Sequence, residues 1–220
     1  RIENSVDEVI RKYTLYPFYE PFLRFDKRSR ILADLKHGSG SLIHIIAGIN
    51  ASNIMRLKYP RYCPQCILES RTQIHEAYWQ RVHQIPGVLI CPIHSVEVKE
   101  YKPTLSEHNQ SLFIAAERLS SRSISIVRNR NNTLLELSRI LDDVLNHRMD
   151  FDINTVDYKS MIRKSPYMKR SSIDYVSLVD GMIRCYGMEA LTTYFPNYRH
   201  PLQWVPSVVR RPTKYFEPIK

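Results

Sequence analysis

The 220-residue chain has no apolar run long enough to cross a membrane. The stretch Leu42 to Ile49 reaches only about half of the roughly 20 residues a spanning helix needs, and Gly38, Ser39 and Gly40 bound it. No secretory signal is read at its start. Cysteine is scarce: there are four, three close together and one distant, which fits no disulfide framework. Internal repeats and low-complexity tracts are also missing, so solenoid architectures are not expected. The chain opens at Arg1 without methionine and closes at Lys220 in a segment that begins after a proline, which predicts an internal piece of a longer protein.

What remains is a globular composition with a cationic bias. Apolar residues make up 43% of the chain, enough for a core. The net charge of +10 favours acidic partners such as nucleic acid, an anionic membrane or an acidic protein.

Periodicity predicts a mainly helical chain. A first helix covers residues 4 to 12, capped by Asn4 or Ser5. Pro17 and Pro21 break the aromatic run Tyr13 to Phe25, which is expected to pack as a compact turn region rather than to stack on bases. A short helix follows from Arg28 to Gly38, and another starts at Ser41. RTQIHEAYWQRVHQI has helical spacing, with Ile74, Tyr78, Val82 and Ile85 on one side, and Pro86-Gly87 ends it. Residues 103 to 112 read as a connector, Ser111 to Arg118 as a short helix and Ser120 to Thr133 as a basic loop. Thr133 is expected to cap a helix with a stripe of Leu134, Leu137, Ile140, Leu141, Val144 and Leu145. Three short helices then suggest a helix-turn-helix-like unit, the second capped by Ser171 or Ser172 and ended by Gly187. Cys185 is expected as a buried helical thiol.

The chemistry concentrates between Arg61 and His94. The spacing Cys63-x2-Cys66-x24-Cys91-x2-His94 is that of two metal knuckles, CPQC and CPIH, with Pro64 and Pro92 at equivalent places. A two-residue gap lets both side chains of a tight turn converge on one ion, and two facing knuckles supply four ligands. One structural zinc ion is the expected cofactor. Four protein ligands leave no open position for water, which argues against an enzyme. His75-Glu76 lacks the second histidine of HExxH, and the order of elements is reversed relative to the zinc deaminases. His75 and His83 are possible alternative ligands, but helical spacing keeps them from the knuckles.

RYCPQC followed by EAYWQRVHQIPGVLICPIH is similar to the TniQ/TnsD family of transposition target-selection proteins, and the segments YTLYPFYEPFL and GSGSLIHIIAGINASNI resemble its longer, TnsD-like branch. The family's pattern usually has glycine where His75 stands, and commonly glycine where Ser95 stands. The resemblance implies a non-enzymatic, cytoplasmic, nucleoid-associated bacterial protein. It implies binding to double-stranded DNA at a chromosomal attachment site and recruitment of an AAA+ ATPase regulator. Shorter relatives are adaptors on RNA-guided CRISPR effector complexes, and that is the alternative reading.

The basic clusters are the candidate DNA contacts. They are Arg118, Arg122, Arg128 and Arg130 in the loop, then Arg163, Lys164, Lys169 and Arg170 with Ser171 and Ser172 ahead of a helix, and Arg210, Arg211 and Lys214 near the end. Cations, hydroxyls and backbone N–H groups around a helix start suit a phosphate. Arg184 and Tyr186 are possible base readers. The expected organisation is an N-terminal helical segment (1–58), a zinc-ribbon-like module (59–103), a helical connector (104–155) and the helix-turn-helix-like region (156–220).

Overall fold

The computed structural model describes residues 5–37, 57–102, 114–119, 125–128, 131–150, 152 and 154–210. The expected helix from Ser41 and the connector at 103–112 lie outside them. The fold is mainly helical and divides into two compact units, Arg1–Met55 with His147–Lys220, and Arg56–Asn146.

In the first unit, Ser5 starts α1 (Val6–Tyr13) with a capping box. Its hydroxyl accepts from the Glu8 N–H at 3.2 Å, and the Glu8 carboxylate accepts from the Ser5 N–H at 3.0 Å. Pro17 sits in the first turn of α2 (Tyr16–Tyr19), and Pro21 in that of the 3-10 turn Glu20–Phe22. The longer α3 (Phe25–His37) begins ahead of the expected Arg28. Ile10, Tyr16, Leu23 and Ile31 form the shared core, with Tyr19, Leu32 and Leu35 against it. Phe18 is fully buried and meets Tyr19 edge-on, whereas Tyr13 and Phe25 stay exposed. Arg28 grips Asp152 with two guanidinium nitrogens, each 2.7 Å from a carboxylate oxygen, and the Asn154 amide donates to the Leu23 carbonyl at 3.0 Å. Those bonds tie the turn around 152–154 to the first helices.

The later helices of this unit follow the expected order with different caps. Asp157 caps α6 (Tyr158–Lys164), and Asp174, not Ser171 or Ser172, caps α7 (Tyr175–Tyr186), accepting from the Ser177 N–H at 3.1 Å and its hydroxyl at 2.8 Å. Between them lies a hairpin of β3 (Met168–Lys169) and β4 (Ser172–Ile173), with Arg170 at φ 51 in its turn. Tyr167, at the hairpin entry, puts its hydroxyl where a Cβ at Gly181 would stand, so α7 carries a glycine there. Gly187 alone, at φ 79, separates α7 from α8 (Met188–Tyr194), and a 3-10 turn at Pro201–Gln203 leads to α9 (Val205–Arg210). Val179, Ala190, Leu191, Phe195, Trp204 and Val205 are buried, with Phe195 stacked on Trp204 at 4.0 Å. Cys185 is exposed, contrary to expectation, because it stands in the last turn of α7 between the exposed Arg184 and Tyr186.

In the second unit, β1 (Arg61–Tyr62) pairs antiparallel with β2 (Lys99–Glu100). The helix expected over residues 71–85 is displaced. Instead α4 runs from Pro64 to Ile74, stops at His75 in the left-handed region (φ 58), and gives way to an irregular stretch and a 3-10 turn at Val82–Gln84. Ile74 and Tyr78, two members of the expected stripe, are exposed. Tyr62, Ile67, Ala77, Ala116 and Leu119 make a core with Trp79 and Tyr101 packed on it. The Trp79 indole donates to the Ile114 carbonyl at 2.6 Å. Asn131, not Thr133, caps α5 (Asn132–Leu145). Its buried face is Leu135, Ser138, Leu141, Val144 and Leu145, while Ile140 is exposed. The stripe is turned because Ser138 is buried, its hydroxyl accepting from the Ile90 N–H at 3.4 Å. Ala116–Arg118 is a 3-10 turn in place of the expected helix. Among the described residues no helix is long and apolar enough to cross a membrane.

Candidate metal centre

Local structure puts both knuckles in place. Cys63 is the N-cap of α4, Pro64 fills the first helical position where a missing N–H costs nothing, and Cys66 lies in the opening turn. The second knuckle is a tight turn: the Ser95 N–H donates to the Cys91 carbonyl at 2.9 Å, and the Cys91 N–H to the Val96 carbonyl at 2.8 Å. Ser95 closes it at φ 55.

The four ligand atoms lie within 4.8 Å of one another. His94 Nδ1 stands 3.5 Å from Cys63 Sγ, 3.3 Å from Cys66 Sγ and 3.7 Å from Cys91 Sγ, and the Cys66 and Cys91 sulfurs are 3.8 Å apart. All three cysteines are buried and form no disulfide, with Val96 and Val98 around them.

The donor chemistry fits a cation. Hydrogen bonding with Cys63, then with Cys91, pushes the Cys66 thiol far up. Hydrogen bonds from Cys63 and Cys66 draw Cys91 down against its burial, with smaller help from His83 and the His94 N–H. Three buried thiols in contact cannot all ionise unaided, and a divalent cation removes that conflict. Three thiolates and an imidazole form a donor set of structural metal sites. Outside the ligands, Glu69 Oε1 lies 2.7 Å from His94 Nε2, the carboxylate partner that fixes a ligating imidazole.

A second clamp holds the frame. The Arg61 N–H donates to the Gln84 side-chain oxygen at 3.0 Å, and the Gln84 amide returns a bond to the Arg61 carbonyl at 2.7 Å. The buried Arg61 guanidinium donates to the carbonyl of His83 at 2.9 Å and to that of Ile85. His83 therefore arrives beside Cys66, contrary to expectation, because the chain after His75 is not helical. His75 is exposed at the end of α4. Periodicity gives no sign of Glu69, His83 or the Arg61–Gln84 clamp.

A family model described as TniQ matches residues 2–98. Over that stretch the chain resembles the TniQ family. The TniQ match therefore takes in all four candidate ligands. The chain is also similar to the transposon Tn7 transposition protein TnsD of Escherichia coli, 30% identical over 94 residues, which is 43% of this chain and 18% of that protein. The chain thus spans under a fifth of that relative's length.

Beyond the TniQ match, one open recess of about 400 Å³ brings together four of the expected DNA-contact residues, Arg163, Ser171, Ser172 and Arg210. Tyr175 also lines it, over Ile162, Met168, Ile173 and Val209. The Arg210 guanidinium lies 5.5 Å above the Tyr175 ring. Lys169 is paired with Asp174. Lys164 and Arg170 are exposed outside the recess, as are Arg184 and Tyr186. Arg118 is exposed beside a 3-10 turn, and the backbone of Arg128 bridges to Val96. Arg122, Arg130, Arg211 and Lys214 lie outside the described residues.

Proposed function

We propose that this chain is part of a DNA-binding target-site selector for a TnsD-like transposition system, one that recognises a chromosomal attachment site and recruits an AAA+ ATPase regulator. The family match and the likeness to TnsD support the transposition part. One observation carries the DNA part: Arg163 and Arg210 line a single recess with two serine hydroxyls, and among the described residues no acidic side chain lines it. Guanidinium forks with hydroxyls suit backbone phosphates. Lys164 and Arg170 adjoin recess residues in the sequence, and Arg118, Arg122, Arg128, Arg130, Arg211 and Lys214 are further candidate DNA contacts. Lys169 acts chiefly by holding Asp174 at the start of α7.

In this reading Cys63, Cys66, Cys91 and His94 hold one zinc ion whose role is to fold the module. Four protein ligands leave it no open position for substrate, so the ion is structural rather than catalytic, in keeping with a non-enzymatic role. It works in the bacterial cytoplasm, on the nucleoid.

The deciding experiment is a footprint of the purified full-length protein on genomic DNA without guide RNA. A discrete protected site is expected. No protection, with binding only to an RNA-guided effector complex, would replace this reading with that of a TniQ-type CRISPR adaptor.

A further inference from the structure

We infer that His83 is a positioning residue of the metal centre, its Nε2–H donating a hydrogen bond to the Cys66 sulfur. The inference rests on the zinc reading above. Three thiolates, one neutral imidazole and a divalent cation sum to a net charge of −1. That charge has to sit where Cys63 and Cys91 have no exposed surface and Cys66 almost none. A buried excess charge needs donors aimed at it. The backbone supplies two: the His94 N–H points at Cys91 Sγ from 3.5 Å, and the Cys66 N–H donates to the Cys63 sulfur. The His83 ring is a side-chain donor beside them. It is completely enclosed, its Nε2 lies 4.0 Å from Cys66 Sγ, and it also acts on the neighbouring Cys91, whose sulfur is 3.8 Å from that of Cys66.

The far side of the ring fixes which nitrogen carries the proton. Among the described residues Nδ1 is buried with no hydrogen-bond partner. With the proton on Nδ1, the ring would leave that N–H unsatisfied and turn a lone pair toward an anionic sulfur. With the proton on Nε2, the N–H meets the sulfur and only an acceptor is left unpaired. An enclosed imidazole with one orphaned nitrogen is an arrangement that a purely packing residue would avoid. Phenylalanine or leucine would fill the space without it. The backbone is built to hold the ring there, since Arg61 spans the carbonyls of His83 and Ile85 and Gln84 brackets Arg61.

The test uses the full chain loaded with cobalt(II) or zinc. His83→Phe keeps the volume and removes the donor. His83→Gln keeps an N–H near the position of Nε2. His83→Phe is expected to release metal to a chelator about 10–100-fold faster and to shift the sulfur-to-cobalt charge-transfer band, with one metal still bound. His83→Gln should stay within about threefold of the parent chain, the residual expected if the N–H alone carries the effect. Parental release and spectrum in His83→Phe would overturn the inference, as would loss of the bound metal in His83→Phe with retention in His94→Ala, which would make His83 a ligand. If His83→Phe does not fold, His83→Asn replaces it, because its amide stands near Nδ1. Faster release from His83→Asn than from His83→Gln supports the inference, and equal release refutes it. A parent chain that binds neither metal fails the zinc reading itself, and the inference falls with it.

Discussion

Of the four described non-glycine residues at positive φ, His75, Ser95, His147 and Arg170, two flank the candidate metal centre. His75 ends α4 at φ 58, and Ser95 closes the second knuckle at φ 55. These are the two places where the pattern of the resembling family has glycine. A side chain in the left-handed region costs about 1–2 kcal/mol, and glycine gives back about 0.5–1 kcal/mol in chain entropy. His75→Gly and Ser95→Gly should therefore each stabilise the metal-loaded protein by up to about 1 kcal/mol. Urea unfolding of each variant measures this, and a loss of stability in both would contradict it. The ligand set was legible because its signal is local: two short gaps and two prolines. Glu69 was not, and His83 was legible only as an alternative ligand that helical spacing would keep away, because their places come from a helix that stops at Ile74 and a clamp spanning Arg61 to Gln84, neither of which has a period.

At the scale of elements, capping residues compete. The run Ser171-Ser172-Ile173-Asp174 offers three possible caps. Asp174 wins because it stands three residues before Ser177 and pairs with Lys169. The serines then fall in the hairpin, so the expected phosphate site at a helix start becomes a recess between α6, the hairpin, α7 and α9. The stripe of α5 was misplaced for a related reason, since Ser138 is polar yet buried by its bond to Ile90. If the recess holds one phosphate, Arg163→Ala and Arg210→Ala should each flatten the dependence of DNA affinity on salt, lowering the log–log slope by about 0.9 for each phosphate no longer neutralised. Lys169→Ala should act mainly on stability. Equal slopes for all three variants and the parent would count against the recess.

The Arg28–Asp152 fork is also a contact between elements. Arg28, with help from Asn154 and against burial, holds the Asp152 carboxyl down at about 2. A carboxylate depressed in the folded state stabilises it above the usual carboxylate range and loses that contribution as pH falls through the folded value. Asp152→Asn should cost about 1.5–3 kcal/mol at neutral pH, the range for charge-assisted hydrogen bonds. The gap between parent and variant should close between about pH 4 and pH 2. Chemical denaturation across that range reads it out, and a constant gap would refute the assignment.

For the whole molecule, the proposed zinc ion implies that the two units depend on the metal differently. The ligands all lie in Arg56–Asn146, where α5 also packs through Ser138 and Ile90. Apparent zinc energies of about 10–16 kcal/mol in small modules match a domain's entire stability. Chelation should therefore raise hydrogen exchange across Tyr62 to His94 and through α5, and leave α1, α3, α7 and α8 protected. Unchanged exchange across Tyr62 to His94 would refute this. Periodicity foresaw a mainly helical chain and the charge balance a cationic one, but pairings such as Arg28 with Asp152, which hold the first unit together, are announced by no local pattern.

That pairing also sets an order of events on the ribosome. Arg28 and Asp152 are 124 residues apart. At about 5–20 residues per second, Arg28 waits roughly 6–25 s for its carboxylate to be translated. All four metal ligands are made within that interval. Under the proposed zinc reading, capture of the ion can thus be finished before the flanking unit closes, so a shortage of the metal would be felt during synthesis, ahead of any work the finished protein does.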